Sequence, residues 1–257
     1  MRKSVGTSEG GPLPPPEGKV AFVRQLFTDI ARRYDLMNRV MSLGRDQSWR
    51  RYAVSQLRSK PGIAPGPGDG PQRVLDVASG TGDLALEVLR QQPQAQVTGV
   101  DLVPDMLVQA QEKAREAGAR LPLAAGDALR LPFPDLSFDG VVTAFALRNV
   151  ADIPAAFAEM ARVTRPGGRV ACLEFAWPTL PIFRELYRFY FYHIVPVIGL
   201  FLTGQRTAYT YLPHSVGAFL SPDQILAVMQ RAGWKDVWYR RLMLGTVAVH
   251  VGVRAGA

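Results

Sequence analysis

The sequence predicts an α/β fold, a doubly wound and mostly parallel sheet, on three observations. Short apolar runs of strand length alternate with segments of helical period over residues 73–175. A glycine turn follows the first run, inside "DVASGTGDLALEV" at 76–88, at the point where a helix should begin. The closing "WKDVWYRRLMLGTVAVHVGV" reads as two strands turning near Gly245, an antiparallel hairpin on the edge of the sheet.

In chain order, residues 1–18 are rich in glycine and proline and lack the apolar centre of a signal peptide, so a disordered tail is expected. Residues 19–60 carry arginines at helical spacing and predict an N-terminal helical cap, and "PGIAPGPGDGPQ" at 61–72 predicts a flexible joint. The main domain then runs from 73 to 257. Within it, strands are expected at 73–78, 95–102, "LPLAAGD", "FDGVVTAFA" and "RVACLEF", and helices at 82–91, 104–117 and 151–163. Strands joined through helices make the sheet parallel and Rossmann-like, with ligands beyond the carboxyl ends of its strands.

The chain has 257 residues, 47% of them hydrophobic and 20% charged, which suits one globular domain with decorations. Thirty Lys and Arg against 22 Asp and Glu give a net charge of +8, concentrated in the helical stretch 24–60. Arginines at helical spacing make a solvated face, and without an RNA-binding motif no nucleic-acid partner is expected. Cys172 is the single cysteine, which excludes an internal disulfide, and His193, His214 and His250 lack metal-ligand spacing. No metal is expected.

The segment 178–202 is apolar and aromatic, but Arg184, Glu185, Arg188, His193 and Pro196 interrupt it and argue against a membrane span. It is either a buried core helix or an apolar lid that touches a bilayer surface. A cytoplasmic protein, with peripheral membrane contact in the second case, is the expectation.

The glycine turn sets the chemistry. Gly80 and Gly82 let the backbone turn tightly and approach a ligand ahead of a helix N-terminus. With Ala85 and Asp101 they also fit a dinucleotide fingerprint, which would make the chain a nicotinamide dehydrogenase. Asp76 inside the first strand, Asp127 after the third and "RPGGRV" at 165–170 favour a different ligand. Asp101 and Asp83 read either as ligand contacts or as helix-start acids. Arg148 and Asn149 follow an apolar strand, a place for an ion pair or for a functional pair. Tyr34, Asp35 and Asn38 either orient the cap or meet a substrate.

Residues 73–253 resemble the class I methyltransferases that use S-adenosyl-L-methionine (SAM). A longer set, "FTDIARRYDLMNRVMSLGRDQSWRR", "GDALRLPFPDLSFDGV", "FALRNVAD", "LEFAWP" and "YTYLPHSVGAFLSPDQILAVMQRAGW", resembles the UbiE/MenG family, the C-methyltransferases of menaquinone and ubiquinone biosynthesis. This resemblance runs from about residue 20 to 253. It implies that Asp76, Gly80, Thr81 and Gly82 pass the amino-acid moiety of SAM, that Asp101 and Leu102 hold its ribose, and that Asp127 and Ala128 face its adenine. It implies a prenylated naphthoquinol substrate against Tyr34, Asn38, Arg148 and Tyr211, with Arg148 and Asn149 as the catalytic pair and 178–215 as a substrate cover.

The implied reaction is C-methylation of demethylmenaquinol to menaquinol, the last step of menaquinone biosynthesis. The alternatives are a ubiquinone precursor, another small aromatic, or RNA. The number of copies is left open, a homodimer included. One departure stands out: Ala144 occupies a position where family members commonly carry serine, so that hydroxyl contact does not carry over.

Overall fold

The computed structural model describes residues 13–14, 16–57, 72–204 and 206–256. Most of the expected tail at 1–18 and nearly all of the expected joint at 61–72 lie outside the described residues.

Five strands, β1 (Arg73–Val77), β2 (Gln96–Asp101), β3 (Leu123–Ala125), β4 (Phe138–Ala144) and β5 (Thr164–Phe175), pair in parallel in the order β3-β2-β1-β4-β5. The hairpin of β6 (Trp234–Leu242) and β7 (Val247–Arg254) extends the β5 edge, and the later strand, β7, makes the antiparallel pairing with β5. The order reverses between β1 and β4, and a crevice for a ligand opens at the carboxyl ends of strands on either side of such a switch.

The cap contains α1 (Lys19–Ile30), α2 (Tyr34–Met41) and α3 (Asp46–Ser55); α4 (Asp83–Gln91), α5 (Pro104–Glu116) and α6 (Ile153–Val163) connect strands. After β5 come α7 (Pro181–Phe189), a π-helical turn at Tyr190–Ile194, α8 (Val195–Thr203) and α9 (Arg206–Gly217), and α10 (Pro222–Arg231) leads into the hairpin. Local chemistry fixes the helix starts. Asp152 caps α6 by accepting the Ala155 amide, and Ser221 and Gln224 form a reciprocal capping box on α10.

Val74 to Val77 are all buried, which is why the apolar residues of β1 do not alternate with exposed ones, and Asp76 is buried among them. Leu75, Val141 and Val170 pack beneath α6 and α10 with Phe157, Met160, Ile225 and Met229. Val74, Val142 and Ala171 face the other way, against Leu84 and Val88 of α4.

The expected cap at 19–60 divides. Ala53 and Val54 are fully buried on the sheet, so α3 belongs to the layer that covers it, and only α1 and α2 form the roof. That roof is completed from far along the chain. Leu26, Ile30 and Met37 pack with Ala208, Tyr209 and Tyr211 of α9, while Phe191 and Val195 pack with Leu212 and Val216. Phe191 is only 2% exposed, so it is the residue of the π-helical turn that packs inward, while His193 and Ile194 of the same turn are exposed.

Candidate active site

The turn after β1 has three residues in the left-handed region, Ala78 (φ 55°), Gly80 (φ 55°) and Gly82 (φ 82°). A side chain at Gly82 would be strained by the left-handed backbone, and its Cβ would sit 3.1 Å from the Ala110 Cβ on α5. Gly80 faces open space, and it lines a cavity of about 100 Å³ together with Asp101, Leu102, Asp127, Ala128 and Asn149.

Asp101 ends β2 with both oxygens engaged. Its Oδ2 accepts the Gly80 amide and its Oδ1 the Val103 amide, each at 2.8 Å. Burial raises its pKa, while the amides of Val103, Gly80 and Leu102 pull the other way. A carboxylate offers about four lone-pair sites, so accepting capacity remains for a hydroxyl donor in the cavity. Helix-start acid and cavity acid are therefore one residue. Asp127 is tied down in the same manner, its Oδ1 accepting the Leu129 amide at 2.9 Å.

Three of the residues expected around the cofactor do not line this cavity. Asp76 is 1% exposed and lies under the turn, its Oδ2 accepting the Ala85 amide at 3.0 Å at the start of α4. Burial drives its pKa well above the usual carboxylate range. Gly82 packs on α5, and Thr81 turns away toward the roof, donating to Asp35 Oδ1 at 2.6 Å. These three shape the turn that Gly80 presents.

Thr81 and Asp35 belong to a polar latch. Lys113 of α5 pairs with Asp35 at 2.7 Å and also with Asp83, while Arg50 of α3 pairs with Asp46 at 2.5 Å and reaches Asp83 at 3.6 Å. Asp35 thus orients the roof, and Asp83 is a first-turn acid within the latch that lines no part of the cofactor cavity.

A second, largely apolar cavity of about 310 Å³ adjoins the first, within the range of small-molecule sites. The two share Phe27, Tyr34 and Phe145 as their common wall. Asn38, Arg148 and Tyr211 also line it, which places every expected substrate residue around one space. Asn38 Nδ2 is buried with no hydrogen-bond partner, a donor waiting for an acceptor.

Arg148 is buried, stacked over the Phe175 ring at 5.2 Å, and donates to the Phe145 carbonyl. Asn149 lines the first cavity instead, and its Oδ1 accepts the Tyr211 hydroxyl at 3.2 Å, joining the strand end to the cover. Burial raises the Tyr211 pKa, opposed by Arg148, so the phenol is a donor at neutral pH.

Sequence reasoning missed Phe145 and Glu174. Phe145 stands at φ 57°, unusual for a bulky residue and held by the Leu173 carbonyl, which accepts its amide at 2.8 Å. Nothing in a run such as "TAFALRN" signals that conformation. Glu174, inside the apolar "RVACLEF", was the available signal: a carboxylate in a central strand requires a partner. Ala144 lines the first cavity and brings only a methyl group there.

The first cavity fits SAM in its donor set: carboxylates at Asp101 and Asp127, a bare backbone at Gly80, and apolar walls from Leu102, Val103, Met106 and Leu129. Among the described residues, no group of three or more His, Cys, Asp or Glu side chains is arranged to hold a metal ion, and no helix is long and apolar enough to cross a membrane.

The chain matches the model of the ubiE/COQ5 methyltransferase family over residues 17–254. It is 45% identical over 244 residues to the demethylmenaquinone methyltransferase of Roseiflexus castenholzii, covering 95% of this chain and 98% of that one. Against the demethylmenaquinone methyltransferase of Thermus thermophilus it is 44% identical, covering 89% and 100%. A relative from a Geobacter species, 41% identical over 90% of this chain and 96% of its own, bears the name ubiquinone/menaquinone biosynthesis C-methyltransferase UbiE. The solved structure of the [4+2]-cyclase SpnF is similar in fold, with a TM-score of 0.63, 18% identity, and coverage of 91% of this chain and 96% of that one. A SAM-dependent methyltransferase from Thermotoga maritima has a TM-score of 0.59 at 17% identity, covering 90% and 99%.

Proposed function

Since this chain belongs to the ubiE/COQ5 methyltransferase family, we propose that it methylates a ring carbon of demethylmenaquinol with SAM as donor, completing menaquinol in the last step of menaquinone biosynthesis. The observation that carries the reading is the pair of adjoining cavities, one edged with carboxylates and one apolar, separated by Phe27, Tyr34 and Phe145. The choice of a naphthoquinol over the ubiquinone precursor rests on the names of the relatives at 44–45% identity.

SAM, when bound, supplies an electrophilic methyl group on a sulfonium sulfur. Asp101 would accept hydrogen bonds from its ribose hydroxyls, with Leu102 beside that sugar and Asp127 and Ala128 beside the adenine. The quinol enters the apolar cavity with a hydroxyl toward Arg148. Loss of that hydroxyl proton to water moves electron density onto the adjacent unsubstituted carbon, which becomes the nucleophile that takes the methyl group. The hydrogen on that carbon then leaves as a proton to restore the aromatic ring. The Arg148 guanidinium offers only hydrogen-bond donors, so it stabilises the oxyanion and is not the base. Asn149 and Tyr211 hold the end of β4 against the cover, and Tyr34 and Asn38 orient the ring from the roof. Apolar walls exclude water and strengthen each of these charge interactions.

The prenyl tail leaves past Phe183, Leu186 and Tyr187, which line the second cavity. Outside it, α7 buries no residue, and Ile182 is 82% exposed on the same helix as the exposed Leu186, Phe189, Arg184 and Arg188. This face rests on the inner, anionic surface of the membrane from the cytoplasmic side, with apolar side chains in the acyl boundary and arginines at the headgroups.

The test is incubation of the protein with SAM and reduced demethylmenaquinone, read by mass spectrometry as the gain of one methylene unit. Methylation of a demethylated benzoquinol but not of the naphthoquinol would move the assignment to ubiquinone synthesis. Transfer to neither quinol would overturn the reading.

A further inference from the structure

Glu174 is fully buried near the end of β5, opposite Ala248 of β7. Its Oε1 accepts the Leu147 amide at 2.6 Å, in the turn that carries Arg148 and Asn149. Its Oε2 has no hydrogen-bond partner and lies 3.9 Å from Nη1 of Arg148. Arg148 Nε is also buried without a partner. Two ionic side chains, one of them lining the substrate cavity, thus face each other with hydrogen-bonding capacity to spare.

We propose that Glu174 is a positioning residue for Arg148, its ionised carboxylate fixing the guanidinium against the Phe175 ring so that Arg148 meets the quinol hydroxyl. The inference rests on the function proposed above, and it assigns to Glu174 no contact with substrate. A residue needed only to accept the turn's amide would serve as a neutral glutamine, with no desolvated charge to bury.

The charge state of Glu174 is poised to matter. Burial pushes its pKa up to about 7, against the opposing pull of Arg148 and the amides of Leu147, Phe175 and Ala146. Arg148 is the charged side chain that faces it. Along the same face of β5, the Cys172 thiol is held neutral by burial, which drives its pKa well above the ordinary value. On β7, Ala248 stands opposite Glu174, and His250, opposite Cys172, is kept neutral by burial with a pKa of about 4. From α9, Tyr211 adjoins Arg148 as a neutral phenol. One ionisation near neutrality in this cluster therefore belongs to Glu174.

The experiment measures kcat and KM against pH for a short-tailed demethylnaphthoquinol in the wild type, Glu174→Gln and Glu174→Asp. Wild-type kcat should fall on the acid side of neutrality as Glu174 takes up a proton. Glu174→Gln should lose that step and about tenfold or more in kcat, with SAM affinity unchanged, and Glu174→Asp should restore a step and part of the rate. A Glu174→Gln enzyme with wild-type kcat and an unaltered pH profile would overturn the proposal.

Infrared titration of the carboxyl in the wild type and in Arg148→Met gives a second measurement that needs neither variant of Glu174. The carboxyl should titrate near neutrality and move upward when Arg148 is removed; no movement would also overturn it. If the wild type methylates no naphthoquinol, the functional reading fails, and the infrared comparison still decides whether the two side chains are coupled.

Discussion

The Gly80 amide donates to Oδ2 of Asp101 at 2.8 Å, so the acid that ends β2 also holds the turn that ends β1. The two strands pair in parallel, and their carboxyl ends arrive together on one side of the switch point. The glycine presents open backbone to the cavity while the carboxylate keeps lone pairs free beside it.

Removal of that acid should weaken SAM binding. Asp101→Ala loses the ribose acceptor and releases the Gly80 amide, costing roughly 2 to 4 kcal/mol of affinity, the scale of two charge-assisted hydrogen bonds. Calorimetric titration with SAM measures it. Unchanged affinity in a folded variant would reduce Asp101 to a support for the turn.

Arg148 should separate binding from turnover. Arg148→Ala is expected to keep SAM affinity within a few fold while kcat falls by about 100-fold, as for the loss of one preorganised donor. Arg148→Lys should recover little, because an ammonium cannot reproduce the planar fork stacked on Phe175. Near-normal turnover in the alanine variant would remove Arg148 from the reaction.

The outer face of α7 should meet the lipid surface through Ile182 and Phe189, which are exposed. Ile182→Asp with Phe189→Asp should reduce sedimentation with anionic vesicles and raise KM for long-tailed quinols, leaving short analogues and the melting temperature nearly unchanged. Equal loss on both substrates together with early melting would instead mark the helix as structural.

His250 should set an acid limb in stability. Its Nε2 donates to the Pro222 carbonyl at 3.0 Å, and burial lowers its pKa from 6.5 to about 4. The unfolded chain binds a proton there more tightly than the folded one. The contribution is therefore complete above pH 6.5 and is lost as pH falls toward 4, on the order of 3 kcal/mol across the window. Urea unfolding of the wild type and His250→Gln at neutral and mildly acid pH should show a smaller loss in the variant, and equal losses would contradict the assignment.

The sequence by itself determined what depends on short-range pattern. Residues 73–78 announced a strand, Gly80 and Gly82 a tight turn, and Gly245 the corner of the final hairpin, because each rests on a few adjacent side chains and the backbone conformations they permit. Asp101, Arg148 and Tyr211 were likewise legible as candidates, and the structure places each on a cavity wall. Only the tertiary structure decided how they divide the work. Asp76, Thr81 and Gly82 lie beside Gly80 in sequence yet support the turn from behind, since a tight turn sends successive residues in opposite directions. Tyr211 reaches Asn149 across 62 residues, α1 and α2 share a core with α9, and the charge of Glu174 is answered by Arg148 on another strand end. Burial and long-range pairing are set by which surfaces the sheet brings together, and no local pattern encodes that choice.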